Sequence, residues 1–168
     1  MVMDAMDDES WAAWINTPGF PPVKFNFTTN ASEVAKAYGD AYVAAKGGEP
    51  SIHYNYTEWF SNQKVLFILA IQDKLADVTI DVLKKIDKDW NITLTLNPEV
   101  KQRWYPIGIA KNYTDVFEPA HEFISVQGRM KYLNPIYIAL VEYGHRDLAL
   151  KWFNENKSFY HPIAVRTL

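Results

Sequence analysis

Residues 114–144, TDVFEPAHEFISVQGRMKYLNPIYIALVEYG, decide the fold. Thr114 stands where an N-cap belongs, and Val116, Phe117, Ala120, Phe123 and Ile124 recur at the spacing that lines one face of a helix. Gly128 is read as its stop, because glycine reaches the left-handed conformation that ends helices without steric cost. A second helix is expected from about Tyr132 to Tyr143, closed by Gly144. Helices joined by so short a turn lie side by side, and the rest of the chain reads outward from this pair.

Downstream, a helix following His145 carries Leu148, Trp152 and Phe153, and a short one begins after His161-Pro162. Upstream, Asn97-Pro98 is a cap followed by a first-turn proline, opening a helix through Val100, Trp104 and Ile107 as far as Lys111, with a kink expected at Pro106. Asn91 to Leu96 alternates polar and apolar as a strand would, yet six residues without a hairpin partner cannot build a sheet, so a loop is expected. Val78, Val82, Leu83 and Ile86 mark another helix after a break near Ala76-Asp77. Before it, Ser61 is the expected cap of an apolar segment running through Gln72.

Asn30 is the expected cap of a helix carrying Val34, Ala35, Tyr38, Ala41, Tyr42 and Ala45, ending at Gly47-Gly48. Pro18, Pro21 and Pro22 restrict their own backbone and that of their predecessors, which predicts an extended strap. Ahead of the strap, Asp7, Asp8 and Glu9 lead a short helix with Trp11, Trp14 and Ile15 on one side. Seven or so helices joined by short turns predict an all-α fold, a right-handed α-α superhelix in which antiparallel helix pairs stack as a solenoid. Residues 1–17 form a linker helix and residues 18–168 the helical domain with its N-terminal strap.

Composition agrees with one compact domain. The 168 residues carry 17 Lys+Arg against 20 Asp+Glu, a net charge of −3, and are 48% hydrophobic and 15% aromatic. Such a chain can bury a sizeable core, and disorder is excluded. The lack of cysteine excludes a disulfide framework, a thiolate nucleophile and a sulfur-ligated zinc. No run of basic residues would draw a nucleic acid, so none is expected as a partner. The longest apolar stretch, Val65 to Ile71, falls far short of the roughly 20 residues a bilayer crossing needs, and no membrane association is expected. The first nine residues lack the basic start and apolar core of an export signal, so a cytoplasmic location is expected.

His121-Glu122 invites comparison with the zinc-peptidase motif, in which two histidines four residues apart hold the metal. Position 125 is Ser125, so His121 and Glu122 read as polar-face residues and no metal is assigned to this chain. Nucleophile elbows, phosphate loops and dinucleotide fingerprints are also missing, and no catalytic residue is expected. His53, His145 and His161 fall at helix boundaries, where capping is the ordinary explanation. Asn-x-Ser/Thr triplets start at Asn26, Asn30, Asn55, Asn91, Asn112 and Asn156. They read as glycan acceptors or as local caps, and capping is favoured because several coincide with expected helix starts.

The run Gln127-Gly-Arg-Met-Lys131 is the cluster of interest. Arg129 and Lys131 stand two apart at the mouth of a helix, where an arginine fork and a lysine point charge could hold an anionic group. Solvated surface charge is the alternative that composition alone favours.

Four segments together resemble a known family: Trp14-Ile-Asn-Thr-Pro-Gly-Phe-Pro-Pro-Val-Lys24, Asn97-Pro-Glu-Val-Lys-Gln-Arg-Trp104, Gln127-Gly-Arg-Met-Lys-Tyr132 and the tail from Asn154 through His161-Pro162. Their order and spacing resemble the C-terminal helical domain of leukotriene A-4 hydrolase and its zinc aminopeptidase relatives. The resemblance implies a parent metallopeptidase with an N-terminal β-rich domain and a zinc-bearing catalytic domain, to which residues 1–17 would connect. The helical domain would close the substrate cleft and be inactive alone, since none of the zinc ligands is in this chain. It also implies that Arg129 and Lys131 bind the carboxylate of a peptide or lipid substrate. The parent could in addition hydrolyse an epoxide. A competing expectation is a helical protein–protein interaction module that docks a partner through Trp11, Trp14, Trp59, Trp90, Trp104 and Trp152.

Overall fold

The computed structural model describes residues 8–23 and 26–168. Residues 1–7 of the expected linker helix, with the charge expected at Asp7, and Lys24 and Phe25 of the strap lie outside them. Among the described residues there are nine α-helices and no strand: α1 (Asp8–Asn16), α2 (Asn30–Ala44), α3 (Ser61–Asp73), α4 (Ile80–Trp90), α5 (Pro98–Ala110), α6 (Phe117–Val126), α7 (Met130–Glu142), α8 (Arg146–Asn156) and α9 (Pro162–Thr167). Among these residues no helix is long and apolar enough to cross a membrane. The all-α expectation holds, and each of these helices falls on a segment where the sequence predicts one.

The main packing runs from α2 to α3, on to α5, then α7 and α8. Helices α2 and α3 approach closely at Gly39, where a Cβ would stand 2.8 Å from the Phe67 carbonyl oxygen and 2.9 Å from the Ala70 Cβ. Trp104, Tyr105, Tyr38, Tyr42 and Phe67 are the largest fully buried side chains of the core. Burying aromatic hydroxyl and indole groups requires partners for them, because an unmade hydrogen bond in the interior costs about 1–3 kcal/mol. The Tyr42 hydroxyl donates to Asp89 at 2.6 Å and accepts from the Trp90 indole at 2.7 Å. Burial, with the Asp89 contact beside it, pushes the Tyr42 phenol well above its ordinary value.

The segment between α4 and α5 is a loop, as expected, and it is anchored to the core. Thr93 is buried. Its N–H donates to Asp87 at 2.7 Å, its hydroxyl donates to the same carboxylate, and that hydroxyl accepts from the Trp104 indole at 2.9 Å. The Tyr105 hydroxyl donates to the Thr93 carbonyl at 3.0 Å, and Tyr113 donates to Asp87 at 3.0 Å. These side-chain bonds satisfy the buried backbone in place of a strand ladder.

Several expected caps move. Thr29, not Asn30, caps α2: its side chain accepts from the Ser32 N–H while Ser32 accepts from the Thr29 N–H, a reciprocal box that leaves Asn30 inside the helix. Phe60 takes the extended backbone of the N-cap of α3, and Ser61, already helical, accepts instead from the Asn97 amide at 3.1 Å. Thr114 opens a single 3-10 turn, and the residue before α6, Val116, is helical, so no extended residue is present to cap from. Gly128 is not a left-handed stop, because the chain from Gln127 to Arg129 is extended; Gly144, with φ of 86°, is one. Asn97 and Pro98 open α5 as expected, and the helix continues through Pro106.

Candidate functional site

Helix α7 begins at Met130, two residues earlier than its apolar spacing suggests, so Arg129 is its N-cap and Lys131 lies in its first turn. The Arg129 side chain makes no capping bond, and the turn contains no acidic residue. Free N–H groups and two cations share this corner, which makes it strongly attractive to a negative charge. Both cations stand over the same ring: the Arg129 guanidinium is 5.8 Å and the Lys131 ammonium 5.7 Å from the centroid of Tyr132. The structure therefore brings together the two residues singled out in the sequence.

It also adds a third. Glu99, in the first turn of α5, faces Lys131 across the α5–α7 interface, with its Oε1 2.6 Å from the lysine Nζ. The Tyr132 hydroxyl donates to the same oxygen at 3.0 Å. The other oxygen accepts from Gln102 Nε2 at 2.7 Å and from Arg103 at 3.3 Å, and Arg103 also donates to the Glu99 carbonyl at 2.8 Å. The Lys131 hydrogen bond above all, then those of Tyr132 and Arg103, holds the Glu99 carboxyl down to about 2, against the opposing effect of burial. Among the described residues Arg129 makes no ion pair, so the guanidinium is the uncompensated charge of the group.

A hollow of about 600 Å³ bounded by Tyr137, Ile138, Val141, Phe153 and Leu168 includes neither cation. His53 is exposed and caps none of the described helices, while most of the other sequence candidates have local explanations. His121 stacks on Trp152, with ring centroids 4.8 Å apart, and lies 3.2 Å from Glu155, while Glu122 is exposed. Among the described residues no group of three His, Cys, Asp or Glu side chains could hold a metal ion. His161 caps α9 by accepting from the Ile163 N–H at 3.2 Å. His145 occupies the N-cap of α8 but makes no capping bond, its ring packing edge-on against Phe117. Asn55 caps a 3-10 turn, Asn91 and Asn112 take left-handed conformations, and Asn156 is buried and donates to the Trp152 carbonyl.

Of the six tryptophans, Trp104 and Trp152 are buried and Trp59 and Trp90 pack against the core, leaving Trp11 and Trp14 exposed. Of the tryptophans expected to dock a partner in an interaction module, the exposed ones both lie on α1.

Comparison with known proteins agrees with the helical body. The family model described as leukotriene A4 hydrolase, C-terminal, matches residues 59–168. A leucine aminopeptidase 2 of Pyricularia oryzae is 31% identical over 153 residues, covering 91% of this chain and 24% of that protein. A leukotriene A-4 hydrolase homolog of Botryotinia fuckeliana is 31% identical over 159 residues, 95% of this chain and 24% of its own length. The leukotriene A-4 hydrolase of Xenopus laevis is 26% identical over 163 residues, 96% of this chain and 27% of that protein. The chain thus spans about a quarter of the length of the curated relatives it matches. The family match takes in α3 through α9, including Glu99, Arg129 and Lys131, and the chain belongs to the leukotriene A4 hydrolase C-terminal domain family.

Proposed function

We propose that this chain is the substrate-orienting domain of a zinc-dependent aminopeptidase, closing the substrate cleft and holding the substrate carboxylate with Arg129 and Lys131. The observation that carries this reading is the pairing of both cations over Tyr132 at the head of α7, with Arg129 free of any ion pair among the described residues. The aminopeptidase and hydrolase names of the relatives support it. On this reading the catalytic portion of the same polypeptide supplies the zinc, and the chain is inactive alone.

A planar guanidinium can take a carboxylate through two parallel bonds, fixing the direction of the ligand as well as its position. Fixing one end of a short peptide places one scissile bond at the reacting centre, so this binding energy appears in the rate as well as in affinity. Arg129→Ala, in the polypeptide that joins this chain to its catalytic portion, is expected to lower kcat/KM on a tripeptide by about 100-fold, with part of the loss in kcat. Turnover indifferent to Arg129 would remove the assignment.

A further inference from the structure

Glu99 is held more firmly than an ordinary surface carboxylate. Its N–H is capped by Asn97 at 3.0 Å, and its Oε2 is gripped by Gln102 and Arg103 of its own helix. Only Oε1 reaches across to α7, where it receives Lys131 and the Tyr132 hydroxyl. A rigid post on one helix thus captures a long, flexible lysine on the next. A lysine ammonium on a four-carbon stem has many rotamers of its own, and one strong partner on a fixed element selects among them.

We infer that Glu99 is a positioning residue for the cation pair: it fixes the Lys131 ammonium beside Tyr132 and leaves Arg129 as the cation that first meets an incoming carboxylate. The inference rests on the reading of Arg129 and Lys131 as the carboxylate-binding pair. Glu99 touches no ligand in this scheme and acts through Lys131. Its negative charge weakens ground-state attraction for an anion, while its grip on Lys131 places the charge correctly for reaction. Removing the charge with the shape kept should therefore act on kcat without raising KM.

The test uses the polypeptide joining this chain to its catalytic portion, with trialanine and trialanine amide as paired substrates. Glu99→Gln is expected to lower kcat on the acid about tenfold, with KM unchanged or lower, and to change the amide less than about twofold. In a Lys131→Met background the same substitution should have no further effect on the ratio of acid to amide. Because both substrates report on the same preparation, partial misfolding lowers both rates equally and leaves the ratio intact. An equal fall on acid and amide, an unchanged kcat on the acid, or an undiminished effect in the Lys131→Met background would each overturn the inference. Arg129→Ala separates the two readings: if it leaves the preference for the acid intact, the carboxylate-binding pair itself is wrong. If it abolishes that preference while Glu99→Gln changes nothing, only the positioning role fails.

Discussion

Glu99 carries a pH signature that can be read without any substrate. Its folded-state value of about 2 lies below its ordinary value of 4.5, so the ionised carboxylate stabilises the folded chain above about pH 4.5, and this contribution is lost as the pH falls from there towards 2. Glu99→Gln should lower the urea midpoint at pH 7 and lower it much less at pH 3. Equal deficits at both pH values would mean that the carboxylate charge is not what stabilises the α5–α7 contact. The spacing of Arg129 and Lys131 was legible in the sequence because it is local. The partner of Lys131 was not, since Glu99 lies 32 residues before it and meets it only through the packing of α5 on α7. The Asn97-Pro-Glu segment was visible as a helix opening, but nothing in its periodicity says which helix its glutamate faces.

At the scale of elements, most signals contained within a few residues were read correctly, the Thr29–Ser32 box and Gly128 being exceptions, and those depending on neighbours were not. Asn97-Pro98 opens α5, Gly144 ends α7 and His161-Pro162 opens α9, each through a conformation or a bond that needs no other element. Ser61 and Thr114 failed as caps because a cap requires an extended backbone at that position, and their surroundings place it one residue earlier or remove it. The loop after α4 was recognised for lack of a strand partner, while its anchoring through Thr93 and Asp87 depends on rings from α5 and Tyr113 that arrive later in the chain. Close approach between helices was also hidden. Because a Cβ at Gly39 would meet the backbone of α3, Gly39→Ala is expected to destabilise the chain by about 1–3 kcal/mol in denaturant unfolding. A neutral or stabilising effect would show that α2 and α3 can part without loss.

For the whole molecule, the proposed role as one domain of a longer aminopeptidase requires a surface that packs against the other domains. A candidate surface for that packing is the corner where the Asn97–Ser61 hydrogen bond joins the heads of α5 and α3. Phe60 beside it is 84% exposed and Leu96 is 93% exposed, more than an isolated folded unit ordinarily leaves in water at neighbouring positions. This chain alone is therefore expected to bind a hydrophobic dye, and the signal should fall in a Phe60→Ser, Leu96→Ser double variant and on joining to the catalytic portion. A chain that binds no dye would remove this surface from consideration. The corner lies at the end of α5 that carries Glu99, so docking there would bring the neighbouring domain next to the cation pair.

The anchoring of Thr93 bears on how this family can vary. Loops are ordinarily where insertions and deletions accumulate, because their ends are held and their middles are free. Here the middle is held: one buried threonine joins the half-buried Asp87 to the core rings of Trp104 and Tyr105, so a residue gained or lost between Asn91 and Leu96 would detach all three from it. Length in this loop is constrained as tightly as sequence is in a helix core, and natural change should fall on the identity of its exposed residues and leave their number fixed.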